Sequence, residues 1–253
     1  MELEFKDKYV AFLDVLGFKN LVFSEDKELL KQYYEQVQGA FKAFTRTKER
    51  LQKLAISDSI ILIAENSEEA LTELLQAIQT LQAGLALINI WMRGGVSFGE
   101  VSYTPEDNTI VGKGFIKAYQ LEAQAVYPRV IIDPFIIAKL NHTRVSFCER
   151  FVSNSMRLIY NTDRKLSFMN DDAIFVSYGN RIIAISDNQL EDGLLSIYNN
   201  IRKNIYGPQE HYHKYQWLKK YFIEELRSAN DPITFNPQRV AIISNYMNFL
   251  TQL

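Results

Sequence analysis

Only one cysteine, Cys148, occurs in 253 residues, so no disulfide can form within the chain and a reducing compartment suits it. Nothing around Cys148 reads as a base partner, which makes it a core filler rather than a nucleophile. Histidine is scarce too, with three in all. His211 and His213 flank Tyr212 at alternate positions that share no helix face, and no cysteine or third histidine lies nearby, so they read as a surface pair and not a zinc site. Neither sign of charge is in excess: 28 Lys and Arg against 30 Asp and Glu leave −2, which excludes a global attraction to nucleic acid or to an anionic membrane. A charged substrate needs a local site. The longest apolar run, Gly84 to Met92, is broken by Asn89 and falls far short of the roughly 20 residues of a membrane span. The N-terminus lacks the basic-then-apolar order of a secretory signal, and the expectation is a cytoplasmic protein without a membrane partner. Gly/Ser linkers, internal repeats and low-complexity tracts are missing as well.

With 47% hydrophobic and 23% charged residues, the chain can bury one large core, or a core of about 130–150 residues carrying an extension. Tyr9 to Leu13 is an apolar, strand-like run, and Asp14 follows where strand gives way to loop, with Gly17 allowing a close turn. Ser24 or Asp26 can cap an amphipathic helix over Lys27 to Arg50, on which Leu30, Tyr33, Val37, Phe41 and Phe44 recur at helical spacing. The β-rich runs Leu54–Asp58 and Ser59–Ala64 meet in a tight hairpin with an acid at its tip. A second amphipathic helix starts after Ser67, with Glu68 and Glu69 in its first turn. Ile90 to Tyr103 reads as a long strand whose Gly94, Gly95 and Gly99 allow a bend or a close backbone approach. After a polar turn, Thr104 to Asn108, Gly112 opens a helix that runs to about Val126; Tyr127-Pro128 stops it before a strand from Arg129 to Ile132.

That order predicts an α+β, ferredoxin-like core over residues 1–140, a mainly antiparallel sheet with helices on one face, plus one further helix and strand. Residues 141–253 form a mainly helical C-terminal extension packed on the core. Its expected pieces are strands at Phe151–Tyr160 and Asn180–Ser186, then helices near Gln189–Lys203, Tyr212–Arg227 and Pro237–Thr251. Tyr212, Tyr215, Trp217 and Tyr221 are read as packing aromatics.

Asp14 ends one strand and Asp58 tips a hairpin whose strand neighbours it in this fold. Two carboxylates on adjacent strand ends can hold hard divalent cations and leave positions open for substrate phosphates. Either residue alone reads as a loop or turn aspartate.

Four collinear segments, Phe12–Phe18, Ser57-Asp58, Arg93–Val101 and Gly112–Glu122, resemble the class III nucleotidyl cyclase catalytic domain over roughly residues 8–140. The resemblance implies two Mg²⁺ or Mn²⁺ ions held by Asp14, Asp58 and the backbone carbonyl of Val15, with Leu16, Gly17 and Phe18 on triphosphate oxygens. It also implies a head-to-tail homodimer with a nucleoside triphosphate as substrate and no nucleic-acid partner. Departures from that family are specific. Adenylate cyclases read adenine with a Lys and an acid where this chain has Leu54 and Thr109, although Lys53 is adjacent. Where the family carries a transition-state Asn and Arg, this chain has Ile116 and Gln120. Lys113 and Lys117, a turn apart, can supply cationic charge instead, or are two solvated lysines. Arg93, on the strand face of Trp91 and Ser97, is a substrate-binding candidate. Arg129 is read as a surface arginine at the start of a strand.

The run Ala118–Glu122 with Tyr127–Asp133 is similar to stand-alone bacterial pyrimidine cyclases of Pycsar anti-phage defence, which make cyclic UMP or cyclic CMP. That likeness implies a pyrimidine nucleoside triphosphate, UTP ahead of CTP, and a product read by a separate effector protein. The alternative is a cyclase-like nucleotide-binding module with weak or no turnover.

Overall fold

The computed structural model describes residues 3–44, 50–105, 107–152, 156–160, 169 and 171–253, with backbone alone at 43, 44, 209 and 210. In chain order the elements are β1 (Lys6–Leu16), α1 (Phe18–Phe23), α2 (Lys27–Phe44), β2 (Leu51–Ile56), β3 (Ser59–Ala64), α3 (Glu68–Leu87), β4 (Trp91–Thr104), β5 (Thr109–Val111) and α4 (Lys113–Ala125). They continue with β6 (Val130–Ile132), α5 (Pro134–Lys139), α6 (Arg144–Arg150), β7 (Leu158–Ile159), β8 (Ile174–Val176), α7 (Gly179–Ile183), α8 (Asp187–Asn204), α9 (Gln209–Ala229) and α10 (Pro237–Gln252).

The sheet order is β2-β3-β1-β4-β6-β8-β7, with β5 pairing β4 outside that path. Strand β1 runs antiparallel to β3 on one side and to β4 on the other, which is the expected ferredoxin-like α+β core. Beyond it β6 joins β4 in parallel and β8 and β7 follow antiparallel, so residues after 140 extend the same sheet.

Alternation along β1 sorts its side chains between two cores. Tyr9, Ala11, Leu13 and Val15 face α2 and α3, where Tyr33, Val37, Leu71, Leu74 and Ile78 complete a buried cluster. Val10 and Phe12 face the other way, against Ala118 and Phe115 of α4. Helices α2 and α3 thus cover one face, as expected from the sequence, while α4 lies on the other. Caps set where the helices begin: Asp26 Oδ1 accepts the Leu29 N–H at 2.9 Å, and Ser67 Oγ accepts the Ala70 N–H at 3.1 Å. The remainder of the expected Lys27–Arg50 helix, residues 45–49, lies outside the described residues.

The glycines of β4 allow the close approach anticipated for them. A Cβ on Gly95 would overlap the Leu121 side chain and stand 2.9 Å from the Ala118 carbonyl, so α4 sits directly on the strand backbone. Ser97 Oγ donates to the Gly114 carbonyl at 2.5 Å and ties the same contact at the helix start.

Several expectations fail where tertiary contacts override local pattern. The segment expected as a strand over Asn180–Ser186 is the short helix α7 followed by a turn; the strand is β8, just before it. The reason lies in α9: Tyr221 Oη accepts the N–H groups of Tyr178 and Gly179 at 3.0 and 2.7 Å and fixes the helix start. The expected strand Phe151–Tyr160 contracts to β7, because Phe151 caps α6, and residues 153–155 lie outside the described residues. Helix α1 follows Gly17 where only a close turn and a loop were expected, and Thr109–Val111 pairs back on β4 as β5. Arg129 is not on the surface. It is 1% exposed, its guanidinium pairs with Asp171, and its Nε donates to the Ala125 carbonyl at 3.1 Å. Cys148 is buried in the main core, and burial pushes its thiol up to about 12.

The tightness of the α4–β4 contact sets a test. Gly95→Ala should destabilise the chain by about 1–3 kcal/mol, because the added methyl has nowhere to go without moving α4. Denaturant unfolding would check this; a change within a few tenths of a kcal/mol would show that α4 is not fixed on β4.

Candidate active site

Strand register brings the two aspartates together. Asp14 stands opposite Ser59 of β3 and opposite Arg93 of β4. Asp58 occupies the two-residue turn between β2 and β3, where Ser57 takes φ +57°. The Val15 N–H donates to the Asp58 carbonyl at 3.2 Å, so the strand end and the hairpin tip are tied through backbone. Both carboxylates are partly exposed.

A third acid joins them. Glu122 on α4 lies on the buried stripe of Ala118 and Ala125, and its Oε1 forms an ion pair with Arg93 Nε. Arg93 Nε also stands 3.7 Å from Asp14 Oδ2. The Arg93–Glu122 contact is a charge pair without hydrogen-bond geometry, and Glu122 Oε1 is buried with no hydrogen-bond donor. One guanidinium therefore faces two acids, with Asp58 close by. Asp14 registers that surplus: burial first, then Glu122, push its carboxyl up to about 6 against the pull of Arg93, with Asp58 adding to the rise and Lys214 opposing it. Tyr33 of α2 is buried within reach of both charges, and burial together with Tyr34, Asp58 and Asp14 raises its phenol far above the usual range.

The loop after Asp14 is open. Gly17 takes φ +77°, a conformation that favours glycine, and no atom lies within 4 Å of where its Cβ would stand. Phe18 turns inward onto Tyr33, with ring centroids 5.4 Å apart, so Leu16, Gly17 and Asn20 border open space on this side. That space is a cavity of about 240 Å³ whose far wall is helical: Asn204 ends α8, and His211, Lys214, Tyr215 and Leu218 come from α9.

Other residues singled out in the sequence fall elsewhere. Lys113 is exposed and ion-pairs with Glu100 at 3.0 Å. Lys117 lies over the Phe135 ring, and Ile116 projects from α4 with 53% exposure. Lys53 does not stand in for Leu54: its ammonium lies 4.5 Å from the Phe41 ring centroid, whereas Leu54 is buried in the cluster under α4. Trp217 and Tyr221 pack the extension as expected, while Tyr212 is 39% exposed. The sequence pattern singled out Tyr33 only as an apolar position of α2, and gave no role to Glu122 or Lys214 at this site. For Glu122 the signal was present, an acid at helical spacing between two alanines of an otherwise apolar stripe.

The donor set suits a hard divalent cation: two carboxylates, a nearby backbone carbonyl at Val15, and more negative charge than Arg93 neutralises. No group of three or more His, Cys, Asp or Glu side chains converges on one point among the described residues. No helix among the described residues is long and apolar enough to cross a membrane.

No family model matches the chain, and no curated protein matches it. Solved structures of nucleotide cyclases are similar to it. The guanylyl cyclase Cya2 is 13% identical, with 70% of this chain and 93% of that one aligned at a TM-score of 0.45. The adenylyl cyclase CyaB from P. aeruginosa is 14% identical over 70% and 96%, at 0.46. The guanylate cyclase domain of RhGC from Catenaria anguillulae, in complex with GTP, is 11% identical over 69% and 98%, at 0.47. Likeness at this level decides neither substrate nor chemistry.

The strained charge of Asp14 has a measurable sign. Between the ordinary value of 3.8 and about 6, the folded chain keeps a proton on Asp14 that the unfolded chain releases, so this group's share of stability falls as pH rises through that window. The full difference is about 3 kcal/mol at most. Asp14→Asn should therefore stabilise the metal-free protein by about 1–3 kcal/mol at pH 7.5, a gain that shrinks toward zero as pH approaches 4. Denaturant unfolding at both ends of the range would test this, and a gain independent of pH would remove Asp14 as its source.

Proposed function

We propose that this chain is a metal-dependent nucleotidyl cyclase that converts a pyrimidine nucleoside triphosphate, UTP ahead of CTP, to its 3′,5′-cyclic nucleotide and pyrophosphate. The observation that carries this reading is the pairing of Asp14 and Asp58 at adjacent strand ends, tied by the Val15-to-Asp58 backbone bond, beside an open glycine loop. Asp14, Asp58 and the Val15 carbonyl would hold Mg²⁺ or Mn²⁺, two ions per site, which supply Lewis-acid activation of the ribose 3′-hydroxyl and neutralise the leaving pyrophosphate.

The remaining work falls to the chain itself. The 3′-oxygen attacks the α-phosphorus in line, the bond to the bridging oxygen breaks, and the hydroxyl proton passes to solvent. Backbone N–H groups of Leu16, Gly17 and Phe18 take the triphosphate oxygens, a use that open space at Gly17 permits. Arg93, already beside Asp14, directs a guanidinium toward phosphate and restrains the carboxylates until cations arrive. Leu54 at the buried position of β2 offers no hydrogen bond to a purine, which supports a smaller base.

On its own chain α4 turns Lys113, Ile116 and Tyr119 outward, the latter two more than half exposed, and the β2–β3 hairpin exposes Ile56 to the same degree. These apolar positions fit a head-to-tail homodimer in which each α4 faces the other copy's aspartates, with Lys113 reaching the substrate there. In a defence role the cyclic product would pass to a separate effector protein. Ile116, which brings no amide where the family has Asn, and Gln120, which brings no guanidinium where the family has Arg, favour a second reading: a nucleotide-binding module without turnover.

One experiment separates these readings. The purified chain is incubated with each of the four ribonucleoside triphosphates and Mn²⁺, and the products are identified by mass. Cyclic UMP or cyclic CMP is expected, with Asp14→Ala and Asp58→Ala each reducing turnover at least about 100-fold. Nucleotide binding with no cyclic product would establish the second reading, and product formation that survives both substitutions would remove the metal site from the chemistry. Sedimentation of the active enzyme should show a dimer.

A further inference from the structure

Where β8 of the extension joins β6 of the core, the chain forms a cavity of about 290 Å³. Its floor is apolar: Ile132 and Ile174 stand opposite each other in the β6–β8 pair, each 2% exposed, and Ile137 and Ala138 line it from α5. Arg144, the first residue of α6, and Asp172, two residues before β8, line the same cavity. These opposite charges are unused. Among the described residues neither side chain has a hydrogen-bond or ion-pair partner, and Arg144 Nη2 is buried without an acceptor. A buried guanidinium N–H with no acceptor is uncommon in a native protein and calls for a cause. Asp171 feels the charge of Arg144, but the Arg129 guanidinium already holds both of its oxygens. The polar groups just before Arg144 are engaged too: Ser146 Oγ lies 3.2 Å from His142 Nδ1 and accepts the Thr143 N–H at 3.0 Å, and Thr143 Oγ1 accepts the Ser146 N–H at 3.1 Å.

We propose that this cavity binds a small apolar amino acid, with Arg144 on its carboxylate, Asp172 on its ammonium and its side chain over Ile132, Ile137 and Ile174. Such a site does not depend on cyclase activity. Three features select a zwitterion with an apolar body. The planar guanidinium matches a carboxylate, to which it can donate two parallel hydrogen bonds. A phosphate or other dianion would meet the charge of Asp172, and a neutral apolar molecule would leave both charges unpaired, whereas a zwitterion satisfies each. At about 290 Å³ the cavity stands at the small end of ligand pockets, which begin at roughly 300 Å³, so it suits a single amino acid and not a nucleotide. Core and extension each supply a part: the first gives Ile132, Ile137 and Ala138, and the second gives both charges and Ile174.

The test is titration calorimetry on the full chain with L-phenylalanine and L-leucine, beside 3-phenylpropanoate, which lacks the ammonium, and 2-phenylethylamine, which lacks the carboxylate. At least one of the two amino acids should bind, and L-phenylalanine should bind about tenfold more tightly than either half-probe. Arg144→Ala should weaken the amino acid about tenfold and leave 2-phenylethylamine unchanged, whereas Asp172→Asn should weaken the amino acid and spare 3-phenylpropanoate. Neither side chain has a partner to lose, and unchanged melting temperatures would certify both variants as folded. Ala138 is exposed on α5, so Ala138→Trp should block the cavity from outside the core and abolish binding. Absence of binding by both amino acids overturns the site, as does binding that survives Arg144→Ala or Ala138→Trp. If 3-phenylpropanoate binds as tightly as L-phenylalanine, the cavity takes a carboxylate alone and the amino-acid assignment is overturned.

Discussion

Everything at this site depends on placing carboxylates where the fold cannot neutralise them alone. Strand β1 is central, hydrogen-bonded on both edges, and Asp14 is its last acid before the loop, so the chain has little freedom to move it. The hairpin delivers Asp58 to the same corner and α4 delivers Glu122, against a single guanidinium from Arg93. Like charges gathered in a partly dry corner raise the free energy of the folded chain. A stability optimum would spread these acids apart.

Strand alternation explains how the corner is built without disturbing the core. Even-numbered residues of β1 face α4 and odd-numbered ones face α2 and α3, so Asp14 falls on the α4 face, with Phe12 beneath it. The glycines of β4 bring α4 down onto that face, and this short separation lets Glu122 reach Arg93. With ordinary side chains at Gly95 and Gly99 the helix would ride higher and the third acid would leave the cluster. Glycine spacing in β4 therefore acts on electrostatics at one remove, through helix height.

Much of the core was legible because its signals are local. The apolar run of β1, the hairpin chemistry around Asp58 and the 3.6-residue stripes of α3, α8 and α9 each announce themselves within a dozen residues. The two aspartates could be paired in advance because the element order dictates which strands are neighbours. What stayed hidden depends on partners far away in sequence. The segment around Ile182 and Ile183 has a strand's composition, and it became helix because a hydroxyl from Tyr221 captures its first N–H groups. Arg129 looked like a surface residue because its acid, Asp171, lies 42 positions on. Strand β8 is three residues long, too short for a pattern, and exists because β6 offers it an edge.

The extension shows the same division between local and distant information. Its helices were readable, whereas their place against the Gly17 loop was not, since nothing in α9 alone points to residue 17. Aromatic packing does the placing: Trp217 and Tyr221 are buried between β8 and the end of α4, and Trp91 at the start of β4 meets Phe222. A helix fixed by its buried face has the rest of that stripe fixed as well, and on α9 Lys214 stands one turn before the buried Trp217 and Leu218, with His211 a turn before Lys214. The apolar residues that hold the extension on the sheet thereby decide where its cations stand.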